Sequence, residues 1–219
     1  LAARARRRQA TLQRLAELGG IERAALSATA TLDYDTARFV YEAMADQYGR
    51  YGFSDINLRP SPYVVSQMNG AYFWLPDSIG ARSPMKDAAD ADRYLDKLGQ
   101  FAVALDQETE QIRHDTGLGV IPPDFILAKT LRQIATLRDA APTGNALTAS
   151  AVARARDAGI ADLDRRASAI FVERIVPALR RQGEAGVDVL NLASAGQVTG
   201  VARRTLNSLA RLVGRKDFS

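Results

Sequence analysis

The chain has 219 residues, of which 47% are hydrophobic and 25% are charged, a composition typical of globular domains. It contains no cysteine, which excludes disulfides and thiolate metal sites, and no apolar run approaches the roughly 18 residues that a membrane helix needs. The formal net charge is only +4, with the excess mainly in arginines near the two ends, so a nucleic-acid partner is not favoured.

Hydrophobic periodicity predicts two helices at the N-terminal end, over residues 1–18 and about 29–51. In the first helix, leucines repeat at three-residue spacing, and Gly19-Gly20 stops it. In the second helix, the apolar residues fall on one face, namely Leu32, Phe39, Val40, Ala43, Met44 and Tyr48. Such a stripe is the usual sign of a helix that packs against a core.

The stretch 53–85 differs, because it carries four prolines and two glycines among its aromatic residues. Proline fixes φ and removes a backbone donor, so the sequence predicts an irregular Pro- and aromatic-rich segment and excludes a long helix here. Segments of this kind pack over a core or line a pocket. We expect Trp74, the sole tryptophan, to be anchored in the core, because burying aromatic side chains offsets the ordering of such a segment.

Helical periodicity resumes near Asp87 and continues to Gly117, where a terminal glycine is expected. A Gly-x-x-Pro-Pro corner at 119–123 follows, and its prolines suit the first turn of the next helix, which extends to about Leu137. We therefore interpret the corner first as a helix end followed by a helix start.

Three further helices are predicted, over about 148–157, 160–176 and 198–213. Pro177 is expected to end or kink the second of them. Because no segment is typical of a long β-strand, the predicted fold class is all-α. It is a helical bundle or array with one irregular segment at about 53–85.

The single histidine, His114, is the natural place to look for chemistry. Glu110 lies four residues before it on the same helix face, and we interpret the pair as a surface contact near a helix end. Zinc catalysis needs about three protein ligands, which one histidine without cysteine does not supply in a usual pattern. Nucleophile-elbow, dinucleotide-binding and Walker A motifs are also absent, so no catalytic residue and no metal ligand is assigned.

Two charged clusters are interpreted as solvated surface. Asp106, Glu108 and Glu110 follow each other at two-residue spacing, so the three carboxylates do not share one face of a helix. The RARRR run at 4–8 is interpreted as the solvated start of a helix. Neither cluster indicates a cofactor, and none is predicted for this chain.

Four segments carry a resemblance to a known family. They read LDYDTARFVYEA, SPYVVSQMNGAYFWLP, DADRYLDKLGQFAVALDQETEQIRHDTGLGVIPPDFIL and AIFVERIVPALRRQ. Together they resemble the bacterial domain-of-unknown-function 885 family over roughly residues 10–185. The most specific parts are the aromatic loop at 63–76 and the corner at 119–123.

The resemblance implies a helical protein related to longer chains that look like zinc-dependent peptidases or related hydrolases, many with a secretion or lipoprotein signal. In those relatives a His-Glu-x-x-Pro-Gly-His motif lies in the C-terminal half, which has no counterpart here, so zinc is expected only in full-length relatives. The resemblance weakens near Gly186. We therefore divide the chain into a helical domain at 1–185 and a divergent tail at 186–219.

The resemblance implies that this chain is the N-terminal helical portion of a metal-dependent peptidase or hydrolase, inactive by itself. Its partner would be the catalytic C-terminal half, and full-length relatives would act on a peptide-like substrate. The residues expected to line that substrate are Tyr63, Gln67, Trp74, Pro122 and Pro123. The alternative is a stand-alone helical binding or scaffold module that buries an exposed apolar face by self-association. No secretion signal is visible, and the sequence leaves the compartment open.

Overall fold

Eight α-helices make up most of residues 1–53 and 62–194, the part of the chain that the computed structural model describes. They are α1 (Ala2–Gly19), α2 (Ala28–Arg50), α3 (Ala71–Arg82), α4 (Ala88–Gly117), α5 (Asp124–Arg138), α6 (Ala149–Asp157), α7 (Leu163–Ile170) and α8 (Val176–Ser194). The all-α prediction is confirmed, and these described residues contain no β-strand. None of the described helices combines the length and the apolar character that crossing a membrane requires.

The chain divides between Pro62 and Tyr63 into two compact units. In the N-terminal unit, α1 packs against α2. The start of α2 is capped by Ser27, whose hydroxyl accepts the N–H of Ala30 at 3.3 Å. The connection between the two helices is tied to α2 by Arg23, which binds both carboxylate oxygens of Asp35 at 2.7 and 2.6 Å.

The apolar residues of α2 occupy two faces, so the prediction of a single face was wrong. Tyr34 is 7% exposed on the buried side, and Met44 and Tyr48 are partly buried. Leu32 and Phe39, in contrast, are 67% and 72% exposed. The predicted stripe combined exposed residues with partly buried ones, because α2 carries apolar side chains on more faces than α1 can cover.

Part of the segment predicted to be irregular is helical, because α3 runs from Ala71 to Arg82 with Pro76 inside it. Its buried side packs on α4 and consists of Ala71, Tyr72, Pro76, Ile79 and Gly80. Burial of this side outweighs the backbone hydrogen bond that proline removes. Trp74 falls on the opposite side and is 50% exposed, so the expectation of a core tryptophan was wrong. The buried aromatic residue is Tyr72, which is 5% exposed.

Helix α4 is the central element of the C-terminal unit and packs against α3, α7 and α8. It begins after Asp87, whose carboxylate accepts the N–H of Asp90 at 2.8 Å. The core of this unit includes side chains of α4, of the segment Phe171–Ile175 and of α8, each of them at most 1% exposed. They include Tyr94, Leu98, Phe101, Leu105, Phe171, Ile175 and Leu179.

The corner between α4 and α5 ends one helix and starts the next, as predicted. The left-handed residue is Gly119, with φ of 82°, and Gly117 is the last residue of α4. The N–H of Gly119 bonds the carbonyl of Thr116 at 2.8 Å, and that of Val120 bonds the carbonyl of Asp115 at 2.9 Å. This pair of bonds is the Schellman motif, which satisfies the last carbonyls of α4.

Between α7 and α8 the helix continues through a π-helical segment, Phe171–Ile175, so Pro177 does not end it. The N–H of Val176 bonds the carbonyl of Phe171, five residues back. Helix α8 continues past residue 186, where the sequence predicted a divergent tail, and its Val189 is buried. The predicted helix at 198–213 lies outside the described residues.

Candidate functional site

One carboxylate of α4, Glu108, points towards the other helices of its unit. Its Oε1 accepts the N–H of Ala71 at 2.7 Å, at the first residue of α3. Its Oε2 accepts the side-chain N–H of Gln182 from α8 at 3.1 Å. The interpretation of Glu108 as a solvated acid was therefore wrong, because position 108 continues the inward stripe of Leu98, Phe101 and Leu105.

The surroundings of Glu108 change its acidity. Burial raises the pKa of this carboxyl to about 7, although the hydrogen bonds from Ala71 and Gln182 favour the charged form and oppose the shift. The positive end of the α3 dipole acts in the same direction as those bonds. Glu108 is therefore partly protonated near neutral pH, where an exposed glutamate is fully ionised.

Gly70 allows the carboxylate to approach the start of α3. Its φ is 116°, a conformation that L side chains rarely adopt. A Cβ atom at this position would lie 3.3 Å from both the ring of Tyr72 and the side chain of Val65, and 3.5 Å from Oε2 of Glu108. A larger residue would be strained here and would crowd the site.

A tight turn at 66–69 immediately precedes Gly70 and the start of α3. Ser66 and Asn69 exchange backbone hydrogen bonds at 3.0 and 3.2 Å. The Asn69 side chain donates to the carbonyls of Tyr63 and Val64 at 3.0 and 3.1 Å. The Tyr72 hydroxyl lies 2.7 Å from the carbonyl of Ser66, which fastens the turn to α3. The residues before α3 are thus held in a defined conformation.

Two side-chain amide oxygens of this region have unused acceptor capacity. Gln182 is fully buried, and its Nε2 is held by Glu108 and by the carbonyl of Leu105 at 3.4 Å. Its Oε1 is buried without a hydrogen-bond partner among the described residues, and so is Oε1 of Gln67. We call Glu108, its partner Gln182 and Gln67, which lies four residues before Ala71, the acceptor cluster, although no hydrogen bond between described residues joins Gln67 to the other two. Such oxygens favour a group that donates hydrogen bonds.

Three of the residues predicted to line a substrate lie before this turn, in it, or at the start of α3. Tyr63 is half-buried, and burial raises its pKa. Gln67 belongs to the acceptor cluster, and Trp74 is exposed on α3. The corner prolines have local roles, since Pro122 is buried and Pro123 immediately precedes α5. No hydrogen bond between described residues joins the corner prolines to the acceptor cluster.

The exposed part of α3 carries an aromatic surface. The rings of Phe73 and Trp74 meet edge to face with centroids 5.0 Å apart, and both side chains are exposed. Met68, in the turn, is exposed as well. Exposed aromatic and apolar groups of this kind are typical of a binding surface.

A groove of about 490 Å³ lies between α5 and α8. Its apolar lining includes Leu131, Ile134 and Val187. Two arginines and two acids, Arg138, Arg180, Glu184 and Asp188, also line it, so its charge does not select a ligand of either sign. None of the residues predicted to line a substrate belongs to it.

His114 is not part of the acceptor cluster. Its Nδ1 lies 2.9 Å from Oδ1 of Asp115, so the predicted contact with Glu110 was wrong. Asp115 is buried, and the Nε2 of Gln111 lies 3.4 and 3.3 Å from its two oxygens. Across residues 1–53 and 62–194, no three His, Asp or Glu side chains come together in a way that could hold a metal ion. These residues do not fit a metal centre.

A family model described as "Bacterial protein of unknown function (DUF885)" matches residues 1–200. The chain belongs to the DUF885 family. The match extends beyond the resemblance seen in the sequence at roughly 10–185 and includes all eight described helices of this DUF885 chain. No curated protein and no solved structure matches the chain.

The composition of this DUF885 chain predicts weak zinc binding. One histidine and no cysteine provide no usual zinc site. After dialysis against metal-free buffer, we expect elemental analysis to find well below one equivalent of zinc per chain. A tight one-to-one zinc complex would contradict this prediction.

Proposed function

We propose that residues 63–194 are the substrate-binding unit of a peptide-directed hydrolase of the DUF885 family, inactive by itself. The observation that carries the proposal is the Glu108 carboxylate, which accepts the N–H of Ala71 at the start of α3, the helix that also bears the exposed Phe73–Trp74 pair. Because the described residues do not fit a metal centre, no step of the proposal passes through a metal.

The chemistry of the cluster supports a ligand rich in N–H donors. Glu108 offers a carboxylate that retains some exposed surface, and Gln67 has a buried amide oxygen that no described residue satisfies. A peptide with a free amino terminus presents ammonium and amide N–H groups together. An ionised carboxylate binds an ammonium by a charge-assisted hydrogen bond, which is roughly twice as strong as a neutral one.

The aromatic surface supports an apolar side chain next to that amino group. Phe73 and Trp74 follow Ala71, whose N–H is bound by Glu108, within the first turn of α3. A ligand held at Glu108 would therefore reach the exposed rings within a few residues. The proposed ligand class is a short peptide with a free amino terminus and a large apolar side chain.

The test uses Trp74, because the fluorescence of the sole tryptophan reports on its surroundings. The chain is titrated with the peptide Ala-Ala-Phe, and separately with its N-acetylated form. We expect a saturable change of Trp74 emission with the free peptide and a response about tenfold weaker with the acetylated one, since acetylation removes the charge. Absence of any saturable response to either peptide would refute the proposal.

Two variants identify the group that binds. Glu108→Gln keeps the size of the side chain but loses its charge, so it should weaken binding of the free peptide about tenfold and leave the acetylated peptide unchanged. Asp106→Asn is the matched control, because Asp106 pairs with Arg181 at 2.8 Å on the surface of the same helix. Equal binding by Glu108→Gln and by the parent chain would exclude Glu108 as the recognition group.

A helical scaffold that self-associates is the second candidate function. It is favoured by a separate observation, the exposed apolar side of α2 in the N-terminal unit.

A further inference from the structure

Helix α2 carries a row of apolar and threonine side chains on its exposed side. We call this row the α2 outer face, and all of its members are exposed, namely Thr29, Leu32, Thr36, Phe39, Val40 and Ala43. Leu32 and Phe39 are more than half exposed, although both are large apolar side chains. The Thr36 hydroxyl donates to the carbonyl of Leu32 at 2.8 Å, so it needs no partner outside its own helix. The row extends over about four turns, and a solvated helix rarely keeps such a row.

The α2 outer face is distinct from the side that α1 covers. Tyr34 is buried, while Ala37 and Tyr41 are partly buried, and these residues recur at three- and four-residue spacing as a second row. Helix α2 therefore has apolar residues on two sides, and among the described residues of its unit only the second row is covered. Helices that are apolar on two sides are normally covered on both.

Small and large residues alternate along the middle of the outer face, and Val40 lies at its edge. Thr29, Thr36 and Ala43 are small and lie seven residues apart, and Leu32 and Phe39 lie between them. In one antiparallel register of two such helices, each large side chain meets a small one of the partner, as good packing requires. A pairing that places Thr36 opposite Phe39 of a second copy also places Leu32 opposite Ala43. A two-fold axis repeats both pairs, so the face is complementary to itself.

The charges beside the outer face permit this pairing. Asp35 is neutralised within its own chain by Arg23, at 2.6 Å, and Glu42 by Arg38, at 2.8 Å. In the antiparallel pairing, Asp35 of one copy comes near Glu42 of the other. Because both carboxylates already have an arginine partner, their mutual repulsion is reduced.

We propose that the α2 outer face binds the same face of a second copy in antiparallel orientation, so that two α1–α2 pairs form a four-helix arrangement. The partner is this chain itself, because the alternation of residue sizes matches its own reverse. This self-association rests on the second candidate function, the helical scaffold, and not on peptide binding, which concerns the C-terminal unit.

The test is the mass in solution of the full chain and of three variants, measured by sedimentation over a range of concentrations. The parent chain is expected to approach twice its mass of 23.7 kDa. Phe39→Glu and Leu32→Glu are expected to remain monomeric, because each introduces a charge into the contact. Phe125→Glu is the matched control and should behave like the parent, since Phe125 is 60% exposed but lies in α5. Circular dichroism verifies that each variant keeps its helices.

Exchanging the large and small residues at positions 39 and 36 tests the antiparallel pairing. Phe39→Ala alone should weaken the dimer, and adding Thr36→Phe should restore it, because the large and small residues then change places across the contact. A monomeric parent chain at every concentration, or a dimer that survives both glutamate variants, would overturn the proposal. A double variant that associates less than Phe39→Ala would contradict the antiparallel pairing. Phe39→Glu should keep the Trp74 response to peptide, which separates this result from the peptide-binding test.

Discussion

Gly80→Ala is expected to destabilise the protein by about 3 kcal/mol or to prevent soluble expression. Gly80 lies within α3 and is buried against the segment before α6. A Cβ atom at this position would lie 2.0 Å from the carbonyl oxygen of Ala146 and 2.9 Å from that of Leu147. Both are backbone atoms and cannot rotate away, so the helix or the segment must move.

The direction of this effect is opposite to helix propensity. Replacing glycine by alanine inside an exposed helix normally stabilises it by about 1 kcal/mol. Gly183→Ala provides the matched control, because Gly183 lies within α8 and its nearest neighbour, Ile134, would be 3.9 Å from the new Cβ atom. Thermal unfolding of both variants should give a lower melting temperature for Gly80→Ala and an equal or higher one for Gly183→Ala. Equal melting temperatures would show that α3 does not approach Ala146 so closely.

Unfolding is expected to become easier as the pH rises from about 4.5 to about 7, because of Glu108. Its pKa is raised from 4.5 to about 7 in the folded chain. Below this interval the carboxyl is protonated in both states. Within it the unfolded chain releases the proton while the folded chain keeps it, so the free energy of unfolding falls with increasing pH. The total change from this residue is about 3 kcal/mol.

Glu108→Gln isolates this contribution. The variant cannot ionise, so its free energy of unfolding should exceed that of the parent by a margin that grows from pH 5 to pH 8. The amide of Gln182 can turn over to accept from the new side chain with its unused Oε1. Denaturant unfolding at several pH values measures the difference. Asp106→Asn should follow the parent curve, because its exposed ion pair with Arg181 contributes at most about 1 kcal/mol. A pH-independent difference for Glu108→Gln would contradict the raised pKa.

The helices with long apolar stripes were predictable from the sequence. The start of α4 after Asp87 follows from a capping carboxylate and its end from the left-handed Gly119, two residues beyond the predicted Gly117, and both are local signals. Helix α3 was not predicted, because Pro76 opposes it locally and burial against α4 decides the outcome. Trp74 was misplaced for the same reason, since only the helical conformation turns it outward.

The candidate site was partly predictable. The sequence indicated Tyr63, Gln67 and Trp74 through the aromatic segment but gave Glu108 no role. A usable signal existed, because Glu108 lies three residues beyond the buried Leu105 on the same stripe. Its partners Ala71 and Gln182 are distant in sequence, and no local pattern brings them together.

The π-helical segment Phe171–Ile175 contains one residue more than regular α-helical winding would need. Because the extra residue is accommodated in this segment, Ala167 of α7 and Leu179 of α8 both lie on the buried side of one continuous helix. Shortening a helix by one residue ordinarily rotates everything downstream by about 100°. A deletion within this segment would instead restore regular winding and leave Gln182 facing Glu108. The continuous helix formed by α7, the π-helical segment and α8 can therefore lose one residue here without exposing its buried side to solvent.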